Sequence, residues 1–250
     1  MVKKGKYGFL GALLGTALLL LAWQAGSLAL AKPFLPPPAA ALAAFVHLLL
    51  AGDLARHFLV SAARILVSTV LALTLAVPLG ILLGRGAWAA RLGGPLVAML
   101  YPLPKVVFLP VLVVLLGLGD APKILLIMLV IFFQITVVTW DAAAAVPAAS
   151  LLSLRSLHAG PWQILRHLIL PCCLPHILTS LRVTTGTAVA VLFFAETFAS
   201  FDGLGYFILN GMETREYTVM YAGIIAMGLL GLLFYAVIGI LEKTFCAWRY

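Results

Sequence analysis

The chain has 250 residues, 64% of them hydrophobic and only 10% charged, with a mean hydropathy of +1.16 and a formal net charge of +8. A soluble domain carries about 25% charged residues, so this chain lacks the charge to cover a water-facing surface, and it is too apolar to be disordered. Its basic residues stand in short clusters between apolar runs, the pattern of membrane topology signals, which argues against a nucleic-acid partner.

About 20 apolar residues cross a bilayer core, and six segments qualify. The first, Gly8–Ala31, follows Lys3, Lys4 and Lys6. Ala29-Leu30-Ala31 resembles a cleavage site, but the apolar stretch outruns the roughly 7–15 residues of a signal-peptide h-region, so an uncleaved helix is expected. Pro36-Pro37-Pro38 then stops any helix. Ala39–Ala51 reads as a short apolar helix at the interface or packed on the bundle. The second span is Leu59–Gly84 and the third Gly93–Gly117.

Within the third span, Pro102, Pro104 and Pro110 each remove a backbone donor, so it cannot be a regular helix throughout. Lys105 lies between them, and an ammonium at membrane depth calls for a cavity or a broken helix. Two roles are open for it. It either borders a translocation path, or is structural, paired with Glu196 or capping carbonyls that the prolines free.

After the fourth span, Pro122–Trp140, comes the longest segment between spans, Asp141–His176. It is too polar to cross a membrane and too apolar for a solvated linker. Two short helices fit, with Gly160 stopping the first and Pro161 in the first turn of the second. Trp162, Leu165, Leu168 and Ile169 then share one face, and Gln163, Arg166 and His167 the other. Pro171 and Pro175 are expected to end this amphipathic helix. A helix resting on lipid headgroups and a docking element for a soluble partner fit it equally.

The fifth span is Ile177–Ala199 and the sixth Thr218–Leu241. Between them Asp202, Gly203, Gly205 and Asn210 are turn formers. Arg64 and Arg182, near span ends, are expected to snorkel to an interface. Glu196, near the end of the fifth span, is expected to pair or meet water. With the N-terminus inside, the cytoplasmic segments hold Lys3, Lys4, Lys6, Arg85, Arg91, Arg155, Arg166, Lys243 and Arg249. The outer segments hold Lys32, Arg56, Lys123 and Arg215. Nine basic residues against four favour both termini in the cytoplasm.

Catalytic chemistry finds no support. Cys172, Cys173 and Cys246 form neither a disulfide framework nor a metal site and read as small apolar fillers. The histidines, His47, His57, His158, His167 and His176, make no H-E-x-x-H pair, so no metal is expected. No G-x-x-x-x-G-K-[ST] phosphate loop occurs, so ATP hydrolysis would need another chain.

The segment Leu152–Pro171 resembles the cytoplasmic loop of binding-protein-dependent ABC importer permeases, E-A-A-x3-G-x9-I-x-L-P. Aligned on Leu170-Pro171, the isoleucine place holds Leu168, the glycine place His158, and the E-A-A places Leu152, Ser153 and Leu154; the end of the motif is kept and its beginning lost. Ser61–Arg64 with Pro78-Leu79-Gly80 and Gly84 is similar to the second helix of the nitrate, sulfonate and taurine branch. Pro102-Leu103-Pro104-Lys105, Leu109-Pro110 and Gly117-Leu118-Gly119 resemble its third helix and the turn after it. Trp162-Gln163-Ile164 resembles its docking loop, and Glu196 followed by Gly203-Leu204-Gly205-Tyr206 its last outer loop. The likeness runs from about Leu59 to Trp248.

The resemblance implies an all-α polytopic membrane protein with about six transmembrane helices and the type I ABC importer permease fold. Residues 1–250 would form one transmembrane permease domain, including a cytoplasmic coupling segment, 141–176. It implies a second permease copy, as a homodimer, a pair of ATPase chains that hold ATP and Mg, and a periplasmic or extracytoplasmic substrate-binding protein. The setting would be the bacterial cytoplasmic (inner) membrane. No cofactor is expected on this chain. The ATPase-coupling residues would be Leu152, Ser153, Leu154, Arg155, His158, Gly160, Trp162, Leu165, Arg166, Leu168, Leu170 and Pro171. Candidates for the translocation path are Lys105, Arg182 and Glu196. The solute would be small: nitrate, a sulfonate, taurine or a related organic molecule. The alternatives are a membrane-embedded enzyme and an assembly or scaffold protein, and co-purification of an ATPase would separate the importer from both.

Overall fold

The computed structural model describes residues 7–198 and 200–249. Lys3, Lys4 and Lys6, which bear on the topology, and Ala199, the expected end of the fifth span, lie outside the described residues. Every regular element among the described residues is helical. In chain order they are α1 (Tyr7–Leu30), α2 (Pro38–Ala51), α3 (Asp53–Arg85), α4 (Ala87–Leu100), α5 (Leu109–Leu116), α6 (Asp120–Ala144), α7 (Ala148–Ser156), α8 (Pro161–Ile164), α9 (Leu170–Thr197), α10 (Leu204–Glu213) and α11 (Tyr217–Phe245). Five stretches are long and apolar enough to cross a membrane, and a sixth appears if the bent pair Ala87–Leu100 and Lys105–Leu116 counts as one.

The core is where α3, α6 and α9 meet, with α10 and α11 closing one side. Ile65, Leu126, Ile127, Ile131, Ile135 and Leu192 are all but fully buried there. The closest pair is α3 against α6. Gly80 and Gly84, four apart, present bare backbone to α6, the small-residue spacing that lets membrane helices approach. A Cβ on Gly80 would fall 2.6 Å from Thr139 Cβ, and one on Gly84 2.7 Å from Ala143 Cβ. Helix α1 sits at the rim, exposing Leu14, Leu18, Leu19 and Leu21. It is pinned near its end, where Trp23 stacks on Tyr221 and donates to the Pro36 carbonyl at 3.0 Å.

Two sequence expectations change. Pro171 and Pro175 do not end a helix: residues Pro161–Thr197 run as one 37-residue helix. Pro171 has no N–H, and its ring crowds the carbonyl one turn back. The helix answers by widening to a π-helical stretch, Leu165–Ile169, in which Leu170 N–H donates to Leu165 O. Ile169, Cys173, Pro175 and Ile177 are buried against the bundle, and in an apolar setting a full break would strand more backbone groups than the prolines do. The stretch between spans therefore shrinks from 141–176 to 145–160. Second, the turn formers after the fifth span begin a helix, α10, in which Leu204, Gly205, Phe207, Ile208 and Gly211 are buried. The third span, expected to be irregular at its prolines, is sharper than a kink: α4 and the Lys105–Leu116 arm meet at 84°.

Candidate functional site

At one end of the bundle the segment 145–160 carries α7. Pro147 stands at its N-cap and Leu151 turns inward, whereas Leu152 and Leu157 are 62% and 77% exposed. The helix closes in a Schellman motif. Ala159 N–H donates to Leu154 O at 3.1 Å and His158 N–H to Arg155 O at 2.9 Å. This geometry puts His158 in the left-handed region, at φ 57°. That is the place where the family motif has glycine, the residue with no Cβ penalty there. Gly160 caps the next helix rather than stopping α7; its N–H donates to Gln163 Oε1 at 2.7 Å, and Pro161 takes the first turn. Ser153, Arg155, Trp162 and Arg166 are exposed, Leu154, Leu165, Leu168, Leu170 and Pro171 half-buried. The candidate coupling residues thus divide between a free-standing helix and the foot of the long α8–α9 rod.

The broken span holds Lys105. The chain leaves α4 at Tyr101, whose carbonyl has no helical donor beyond the end. Lys105 Nζ donates to that carbonyl and lies 4.8 Å from the Phe133 ring centroid and 5.4 Å from that of Tyr101. Tyr101 Oη is 3.4 Å from Gln134 Oε1. Of the two structural options for this lysine, capping a freed carbonyl is the one seen. Pairing with Glu196 is not, because Glu196 is engaged elsewhere.

At the opposite end, Arg64 and Glu196 form a buried ion pair, 2.7 Å from Nη1 to Oε1, with side chains 2% and 0% exposed. Arg64 therefore does not snorkel. Its Nε donates to Asp120 Oδ1 at 2.8 Å, its Nη1 also to the Asp202 carbonyl at 3.1 Å, and its Nη2 to the Asp202 carboxylate. Ser61 Oγ donates to the Glu196 carboxylate at 2.8 and 2.9 Å to its two oxygens, and accepts from Leu204 N–H at 2.8 Å. Gly205 N–H donates to Glu196 Oε2 at 2.8 Å. So the first turn of α10 supplies a donor to the carboxylate, as helix N-termini favour. Gly203, at φ 96°, must be glycine: a Cβ there would strike the Glu196 carboxylate and the Arg64 guanidinium. Its N–H donates to His57 Nδ1 at 3.0 Å.

Arg182 does not snorkel freely either. Its Nη1 is 3.3 Å from Glu242 Oε2, its guanidinium lies 5.5 Å from the Tyr235 ring centroid, and Thr179 Oγ1 donates to Glu242 Oε1 at 2.9 Å. The residues missed from sequence are Asp120, Asp202 and Glu242 as ion partners and His57 as an acceptor. A signal existed for the main pair: an arginine and a glutamate at the same depth of different spans have each other as the cheapest partner. Among the described residues no group of three His, Cys, Asp or Glu side chains is placed to hold a metal.

A bundle with apolar flanks, buried ion pairs, a broken span on an exposed face and a short helix standing clear at one end has the make-up of a transport permease. Comparison with known proteins gives the family. Residues 76–245 match the family described as "Binding-protein-dependent transport system inner membrane component". The chain is 30% identical to the taurine transport system permease TauC of Escherichia coli K12, over 94% of this chain and 89% of that protein. It is 30% identical to the putative aliphatic sulfonates permease SsuC of Bacillus subtilis 168, over 98% and 89%. The formylaminopyrimidine transport permease ThiX of Halalkalibacterium halodurans is 26% identical over 98% of both chains. A chain of the MetNI methionine ABC transporter, solved inward-facing, superposes with a TM-score of 0.62 at 19% identity, over 77% of this chain and 95% of that one, which shows the fold. The chain belongs to the binding-protein-dependent transport system inner membrane component family. It is the multi-pass membrane permease subunit of an ABC importer, a transport subunit and not an enzyme.

Proposed function

We propose that this permease imports a small organic anion of the sulfonate class through a path between two identical copies, which meet on the face of the broken span. The carrying observation is the ammonium of Lys105, half-buried on that face against Tyr101 and Phe133. Broken backbone at membrane depth is tolerated where protein or a water-filled cavity covers it. Around this break Leu100, Leu103, Val107 and Val111 are exposed. A second copy covers the apolar rim, and water reaches the lysine. The taurine and sulfonate names of the relatives support the anion class. Arg182 and Glu196 belong to this reading as residues that hold the walls, since each is engaged in an ion pair.

The loop that carries α7 faces the cytoplasm in this reading, with both termini on the same side. There α7 seats in a groove on one of a pair of ATPase chains, which bind ATP and Mg, through Leu152, Ser153, Arg155 and Leu157, with Trp162 beside it. The Arg64 end faces outward and receives the substrate-binding protein.

The test is Lys105→Cys in a background without Cys172, Cys173 and Cys246. A small water-soluble thiol reagent is expected to label position 105, with protection by the transported anion. Lys105→Met is expected to slow uptake at least tenfold, with less loss in Lys105→Arg. No labelling in either the resting or the ATP-trapped state, together with normal uptake by Lys105→Met, would sink the path role.

A further inference from the structure

We infer that the groove between α3 and the α8–α9 rod is a binding site for one anionic phospholipid, its phosphate on Arg166 and one acyl chain along the groove. The cavity is about 630 Å³ and almost wholly apolar, with Val77 on one wall, Leu170, Leu174 and Leu178 on the other and Trp248 at the edge. Arg166 is the one charged residue that lines it. Among the described residues this guanidinium has no carboxylate partner.

Its dimensions select the occupant. From Arg166 to Leu178 the rod climbs about 18 Å at 1.5 Å per residue. One leaflet of a hydrocarbon core is about 15 Å deep, half of the roughly 30 Å total. A groove of that length, apolar throughout and opening at a cation, matches a single lipid tail with its headgroup at the mouth. Trp248, 63% exposed at that mouth, is the residue type enriched at headgroup level. A guanidinium engages a phosphate oxygen pair through two parallel N–H donors. Basic pockets between membrane helices are lipid headgroup sites on the same physics. The foot of the rod adjoins α7 in sequence, so a bound lipid would brace the element that reports to the ATPase.

Native mass spectrometry of the intact transporter tests this, after reconstitution in equal phosphatidylglycerol and phosphatidylethanolamine and extraction in mild detergent. The wild type is expected to retain one phosphatidylglycerol per permease chain. Arg166→Gln is expected to lower the preference for phosphatidylglycerol at least tenfold, and Arg166→Lys to restore part of it. Leu174→Trp, which fills the groove, is expected to displace both lipids. Equal retention in wild type and Arg166→Gln would overturn the site. So would efficient disulfide formation between two copies through Leu174→Cys, in the background lacking native cysteines, because the groove would then be a subunit interface.

Discussion

Arg64 is the residue on which the most depends. Removing one partner of a buried ion pair costs about 3–5 kcal/mol, because the other charge is left uncompensated. Arg64→Gln would strand the fully buried Glu196. In a chain of this size each kcal/mol moves the midpoint by about 2–4 °C, so the apparent Tm in detergent is expected to fall by roughly 6–20 °C. Adding Glu196→Gln is expected to return part of that loss. A double variant worse than the single one would mean that the pair is not the source. His158 is the opposite case. An L-residue in the left-handed region costs about 1–2 kcal/mol, with histidine among the more tolerant. His158→Gly is expected to keep the Schellman turn and raise the Tm by a few degrees, read in a thermal melt. A fall would show that the imidazole makes contacts worth more than the strain. The two sites were unequally visible in the sequence. The glycine place of the loop motif could be aligned onto His158 from Leu170-Pro171 alone. The acidic partners of Arg64 could not, because Asp120 at the start of α6 and Asp202 in the bend before α10 are brought together only by the folded bundle.

At the scale of elements, the spans were legible because lipid demands long apolar runs; five of the six expected spans have one long helix, and the third is split into α4 and the Lys105–Leu116 arm. What the sequence did not reveal was how prolines are read in apolar surroundings. Three prolines at Pro102, Pro104 and Pro110 break a helix on an exposed face, whereas Pro78 sits inside α3, and Pro171 and Pro175 inside the α8–α9 rod, without ending them. Cover does not separate them, since Pro78 is as exposed as Pro102, Pro104 and Pro110; the difference is spacing, because Pro102 and Pro104 remove two donors within one turn, whereas Pro78 removes one and Pro171 and Pro175 stand a full turn apart. Helix α10 was hidden for another reason. Gly205 and Asn210 read as turn formers, yet Gly205, like Gly211, sits where a neighbour, Glu196 or Met220, leaves no room for a Cβ. Helix α7 makes the sharpest test at this scale. Leu152 points away from the bundle, so Leu152→Asp is expected to leave insertion and Tm unchanged. It is expected to weaken ATPase co-purification at least tenfold, about 1.4 kcal/mol. Unchanged co-purification and uptake would move the docking surface off this helix.

For the whole molecule, the arrangement of charge is the checkable feature. Reporters fused after Gly86 and Ala159 are expected to report the cytoplasm, and those after Gly119 and Arg215 the outside, following the basic asymmetry. An inverted pattern would place α7 on the far side from ATP and rule out the coupling role proposed for it. Six crossings, with the bent pair counted as one, fit this arrangement, and the family match across residues 76–245 runs from the last third of α3 to the end of α11.

The Arg64 cluster also has a timetable. Its members are scattered along the chain: Asp120 follows Arg64 by 56 residues and Glu196 by 132. At about 5–20 residues per second of synthesis, Arg64 waits roughly 3–11 s for its first partner and roughly 7–26 s for the second. During that interval the α3 segment holds an uncompensated guanidinium near the membrane boundary, and only the emergence of α6 relieves it. Assembly is therefore ordered by charge: α3 can settle against α6 once Asp120 arrives, and the joint becomes dry only when the fifth span delivers Glu196 and the following loop lays Gly203 over it. A nascent chain halted before Glu196 would lack the carboxylate that joins Ser61, Arg64 and the first turn of α10, and would carry this end of the bundle open to water.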